Sequence, residues 1–111
     1  MLDPRSFFDD HAPRHLGGDI LGALPEDVVV VFHISGAGGG AWQVDTRTGR
    51  ASIGPVVECP RDCEVWCSSE DFMGILKGTL NGRRAFLAGR LRVQGDVGLA
   101  LRLQGLLATA A

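Results

Sequence analysis

The chain reads as an α+β domain in which helices cover one face of a sheet of about five strands, and three observations lead there. Short runs with β-branched density or period-two alternation fill the middle of the sequence, while the C-terminal third carries apolar residues at helical spacing. Glycine supplies 16 of 111 residues but proline only 5, which places the glycines at turns and close contacts rather than in low-complexity sequence. The runs follow the order helices, three-strand meander, strand, helices, strand, helix, which segregates the two kinds of element. With 45% hydrophobic and 22% charged residues, the sequence can form a real core, and 1–111 reads as a single domain.

Taken in order, Asp3 before Pro4 has the form of an N-cap and first helical residue, and Phe7 with Phe8 give that helix an apolar face before Pro13 ends it. A second short helix is expected over 19–24. Residues 28–35 are β-branched and dense, a strand that stops at the glycines of 36–40. Over 41–47, Trp42 and Val44 alternate with Gln43 and Asp45, the returning strand of a hairpin. Thr48 and Gly49 turn the chain into a third strand over 50–53. After a proline-punctuated connector, Cys63, Val65 and Cys67 alternate with Glu64 and Trp66 as a fourth strand.

Ser68 is the N-cap of a helix with Asp71 at its third position and Phe72, Ile75, Leu76 and Leu80 on its apolar face, and Asn81 with Gly82 should stop it. Phe86 and Leu87 sit on a short following helix. Leu91 and Val93 point one way from the last strand. Asp96 caps a final helix bearing Leu99, Leu103, Leu106 and Leu107.

Charge is unevenly distributed. Residues 1–71 carry 5 Arg/Lys against 12 Asp/Glu, a balance of −7, whereas residues 72–111 carry 6 against 1, a balance of +5. The second part therefore suits an anionic surface such as a layer of lipid headgroups; solvated strand and helix faces explain the same arginines more simply. The acidic start MLDPRSFFDD lacks the form of a signal peptide, no apolar run is long enough to span a membrane, and three cysteines fit a reducing compartment. A soluble cytoplasmic protein is expected.

Motifs that would carry catalysis are weak. Gly36, Gly38 and Ala41 have GxGxxA spacing after a strand, but AWQVDTR continues as a strand where a dinucleotide site needs a helix N-terminus, so a hairpin loop is expected. Cys63 and Cys67 lie about 13 Å apart along a strand, too far for a disulfide and awkward for one ion; with Cys59, they read as hydrophobe-like thiols. His11 and His15 are separated by Pro13, and His33 lies on the strand face opposite Val30, Phe32 and Ile34, facing solvent beside Gln43. No metal or cofactor is expected. The stretch 68–107 has no His and no Cys, which suits holding an apolar molecule better than cutting bonds.

SEDFMGIL, LNGRRAFLAGRLRVQGD and GLALRLQ, in that order, resemble the sterol carrier protein type 2 family of lipid-binding domains. PRSFFDDHAP, VFHISG, AWQVD and the GP before the fourth strand resemble its bacterial single-domain members, so the likeness spans nearly the whole chain. The resemblance implies a mixed, mostly antiparallel sheet and an apolar tunnel between sheet and helices for fatty acyl chains, sterols or related amphiphiles. By position, Phe32, Phe72, Ile75, Leu76, Phe86, Leu91, Val93, Leu99 and Leu103 would line or close that tunnel, with Gln104 as its polar contact. Gly82 departs from the proline usual after LN in the family.

The function expected is therefore carriage or presentation of a lipophilic molecule by a monomer or weak dimer, with an anionic membrane surface or an enzyme as transient partner and no nucleic acid. Two other readings stand beside it. A small enzyme or cyclase would use the same cavity with Cys63 or Cys67 as its reactive group. A ligand-free interaction module would pair through Trp66, Val29 and Val31 on an exposed sheet face.

Overall fold

A computed structural model describes residues 3–11, 27–47 and 52–108; the helix expected at 19–24 and the turn at Thr48 and Gly49 lie outside the described residues. At the start of the chain, Asp3 Oδ1 accepts a hydrogen bond from the Ser6 N–H at 2.8 Å and opens α1 (Pro4–Ser6), which runs on as a π-helical turn over Phe7–His11. Arg5 ties this segment to the sheet by donating from its backbone N–H to Gly38 O and from Nη2 to Gly39 O. Phe7 and Phe8 are thereby driven inward and fully buried.

The five strands are β1 (Val29–Ser35), β2 (Gly40–Asp45), β3 (Ser52–Gly54), β4 (Cys63–Ser68) and β5 (Arg92–Gly95), arranged β3-β2-β1-β4-β5. β1 and β4 pair in parallel and every other pair is antiparallel, the mixed sheet expected. The loop between β1 and β2 turns through Gly36 and Gly38, whose φ angles of +95° and +68° strain any residue with a Cβ. The GxGxxA spacing is thus hairpin geometry, as anticipated.

Alternation assigns the two faces. Trp42, Phe32, Val65 and Val93 form one cross-strand row beneath the helices, while Ala41, His33, Trp66 and Arg92 form the opposite row. That second face is not open along its whole length. Val29 and Val31, expected to be exposed, are 1% and 0% accessible, because β1 is central and the β3–β4 connector crosses over it. Gln43, in register with Val31, accepts a hydrogen bond from the Val57 N–H, and Asp62 both accepts from Val29 N–H (2.7 Å) and donates back to Val29 O (2.8 Å). Trp66 is half-buried too, stacked on His33 at 5.0 Å with the Arg92 guanidinium 5.3 Å from its ring centre. The interaction-module reading loses its apolar patch.

Three helices follow: α2 (Ser69–Lys77), α3 (Gly82–Leu87) and α4 (Val97–Ala108). Ser68 Oγ accepts from the Asp71 N–H and caps α2 as predicted, but the Asp71 carboxylate turns to Arg90 instead of closing a reciprocal box. α2 ends earlier than expected, at Gly78, which takes a left-handed φ of +80°. Asn81 belongs to the next element: its Oδ1 accepts from the Arg84 N–H as the N-cap of α3. Asp96 caps α4 by accepting from the Leu99 N–H at 3.0 Å.

Candidate functional site

The space between sheet and helices is packed, and a hollow lies among the helices themselves. Towards α1 that space is filled by rings. Phe8 lies 4.8 Å from Trp42, 5.2 Å from Phe72, 5.4 Å from Phe32 and 5.3 Å from Phe7, and the Trp42 indole N–H donates to Asp9 Oδ1. The N-terminal segment therefore closes this side of the interior.

The hollow lies at the other end, where α2, α3 and α4 converge around a cavity of about 360 Å³. Ile75 from α2, Leu80 from the turn after it and Leu101 from α4 give it apolar walls, and the polar Asn81 and exposed Arg83 stand at its rim. Into it reaches Gln104, only 3% accessible, and among the described residues neither its Nε2 nor its Oε1 has a hydrogen-bonding partner. A buried amide left so costs about 1–3 kcal/mol, and native structures rarely tolerate it without a reason. Gly82 makes the approach possible: a Cβ there would stand 2.7 Å from Gln104 Oε1 and push the carboxamide aside. The departure from proline at this position is thus coupled to the placement of the amide.

Of the ten residues singled out in the sequence, Ile75 and Gln104 line this cavity. Phe32, Phe72, Leu76, Leu91, Leu99 and Leu103 are packed in the closed core, and Phe86 and Val93 lie half-buried against it. Leu80, Leu101, Asn81 and Arg83 were missed as site residues. Leu80 had a signal, being four residues beyond Leu76 on the predicted face. Leu101 had one too, because α4 is apolar on more than the Leu99–Leu103 stripe.

The reactive groups lie elsewhere. Cys63 and Cys67 face the core, and burial pushes both thiols up to about 12, with the nearby carboxylates Asp96 and Asp71, respectively, adding to the shift. At neutral pH they are protonated and not nucleophilic, and neither lines the cavity around Gln104. Iodoacetamide at pH 8 is accordingly expected to label Cys59 alone in the folded protein and all three cysteines in denaturant, read by intact mass; rapid native labelling at Cys63 or Cys67 would contradict this burial. His33 Nε2 lies 2.7 Å from Glu64 Oε2, which also accepts from Arg61 Nη1. The sequence had set His33 beside Gln43, but its register partner on β2 is Ala41. The His33 contact, and then Arg61, hold the Glu64 carboxyl below its usual range. Their contribution to stability is complete above that usual range and is lost as the pH falls through the lowered value. Among the described residues, no group of three or more His, Cys, Asp or Glu side chains converges to hold a metal, and no helix is long and apolar enough to cross a membrane.

A mixed five-stranded sheet under three helices, with a cavity walled by three aliphatic side chains and holding one amide unsatisfied among the described residues, defines a small α+β domain with a ligand-sized hollow. The profile of the SCP-2 sterol transfer family matches residues 25–108, and the chain belongs to that family. Human sterol carrier protein 2 is 32% identical over 81 residues, covering 70% of this chain and 15% of the human protein. Hydroxysteroid dehydrogenase-like protein 2 of Danio rerio is 34% identical over 83 residues, covering 72% of this chain and 20% of its own length. The chain thus spans a small fraction of the curated relatives it matches. Among solved structures, the palmitated SCP2L2 of Aedes aegypti superposes with a TM-score of 0.66 at 25% identity, covering 96% of this chain and 95% of that one. The apo sterol carrier protein 2 of Yarrowia lipolytica gives 0.66 at 22% identity, over 96% and 84%.

Proposed function

We propose that this domain binds and carries or presents lipophilic molecules, such as fatty acyl chains, sterols or related amphiphiles, with the apolar part in the α2–α3–α4 cavity and the polar head on Gln104. The observation that carries this reading is the amide itself: a buried donor and a buried acceptor, both without partners among the described residues, at the wall of a hollow to which Ile75, Leu80 and Leu101 give apolar surface. A hydroxyl or a protonated carboxyl head can donate to Oε1 and accept from Nε2, whereas an ionised carboxylate accepts from Nε2 alone. Each buried methylene adds about 0.8 kcal/mol, so ten offer roughly 8 kcal/mol before ordering costs, and no salt bridge is needed. Ile75, Leu80 and Leu101 meet the chain first. Phe32, Phe72, Leu76, Phe86, Leu91, Val93, Leu99 and Leu103 form the packed wall behind them, which a longer ligand would part. Membership of the family and the palmitate-bound relative support the reading. The same reading has the domain working as a monomer or weak dimer in the cytoplasm, collecting its cargo from a membrane or handing it to an enzyme.

Thermal unfolding with added palmitate tests it. At ten times the dissociation constant the ligand contributes about 1.4 kcal/mol, a rise in Tm of roughly 5 °C for a domain of this size. The absence of any shift with a fatty acid, an acyl thioester, a sterol and a polyprenoid would overturn carriage.

A further inference from the structure

The α3 helix turns an unusual face to solvent. Leu87 lies four residues after Arg83 and three after Arg84, so the three positions share the helix face opposite buried Ala85. Leu87 is 78% accessible, an exposed large apolar side chain on a helix with no packing reason to carry one there. The chain beyond it, Ala88, Gly89 and Arg90, is exposed as well.

The sequence that carries α3 is cationic. Residues 72–111 hold six cationic side chains and a single carboxylate, Asp96. Among the described residues, Arg90 is the only one of the six that is ion-paired, with Asp71, and Arg83, Arg84 and the exposed Arg102 of α4 have no anionic partner there. The same helix forms the rim of the Gln104 cavity through Asn81, Gly82 and Arg83, and Arg102 follows the cavity-lining Leu101.

We infer that α3 docks the domain on an anionic lipid bilayer, with Leu87 entering the headgroup layer and Arg83 and Arg84 meeting lipid phosphates or carboxylates beside it. An apolar tip beside cations suits a surface where acyl chains lie just beneath negative charge, and it is wasted on a purely polar anion such as a nucleic acid. Docked this way, the rim of the cavity faces the membrane, so a lipophilic molecule passes between bilayer and protein without crossing water. The docking extends the carriage reading by naming where cargo enters, but the binding itself depends only on the α3 surface.

Co-sedimentation with vesicles tests it, comparing phosphatidylcholine alone with phosphatidylcholine containing phosphatidylserine. The wild-type protein is expected on the anionic vesicles only, and less so as salt rises. Arg84→Glu changes two charges and is expected to lower partitioning roughly 30-fold, and Leu87→Asp roughly 10-fold. Both positions are exposed and lie off the cavity wall, so both variants should keep the wild-type Tm and the palmitate-induced shift. Equal partitioning of the wild type to the two vesicle types would overturn the proposal, as would either variant binding like the wild type. Unchanged binding by Leu87→Asp with a loss for Arg84→Glu would mark a purely polar anion site, of the kind a nucleic acid uses. Should palmitate shift none of the three proteins while the vesicle ranking holds, carriage falls and docking stands.

Discussion

Truncating Phe8 to alanine is expected to cost about 3–5 kcal/mol, the largest loss for any single side chain in the aromatic cluster. The ring is 1% accessible and touches four other aromatic rings, two of them nearly parallel to it. Removing it strips the contacts of all four and opens a hollow that the rigid β-sheet side, Phe32 and Trp42, cannot collapse to fill. Against a total stability of ~5–15 kcal/mol for a domain of this kind, the shift should be plain in urea unfolding as a lower midpoint. A loss below about 1 kcal/mol would mean that the 3–11 segment is not docked in solution, and that the interior is open on the α1 side as well as at α3.

Gln104→Leu should act in the opposite direction on the free protein. The leucine keeps most of the volume and removes a donor and an acceptor that are both buried without partners among the described residues, so the free domain is expected to gain about 1–3 kcal/mol. Binding should pay for that gain: a fatty acid loses its polar contact, and its dissociation constant should rise about tenfold, the equivalent of one hydrogen bond to a charged or strongly polar head. Thermal melts and a titration with a fluorescent fatty acid measure the two halves. A variant less stable than the wild type would show that the amide has a stabilising partner after all, and a variant with unchanged affinity would show that the ligand head lies elsewhere. Stabilisation combined with weakened binding is the signature of a group kept for its ligand.

Local signals in the sequence carried most of the elements. Asp3–Pro4, Ser68 and Asp96 are caps whose side chains bond the amides that their types and positions foretell, and the alternation of Cys63, Val65 and Cys67 sorted one sheet face from the other. What escaped was set by competition between neighbours or by distant contacts. α2 could end at Gly78 or at Asn81–Gly82; both are good stop signals, and Asn81 was needed as the cap of α3. Val29 and Val31 are buried by a connector that local pattern cannot place on the sheet. The cavity was harder still. Leucines at helical spacing have the same pattern whether they fill a core or line a hollow, and the difference here comes from five phenylalanine and tryptophan rings taking up one side of the interior. Gln104 was legible only through the family resemblance, since a lone glutamine on a helix carries no signal of its own.

The parallel pairing of β1 with β4 has a consequence for how the protein is made. The hairpin of β1 and β2 can form early, but the other edge of β1, the most apolar strand in the sheet, has no neighbour until the chain has been synthesised through Ser68. Until then a nascent molecule displays a bare, sticky ribbon able to zip onto another unfinished copy. Production of this domain is thus exposed to clumping on crowded ribosomes, and slower elongation or a holding chaperone should raise its yield more than any change to the finished surface.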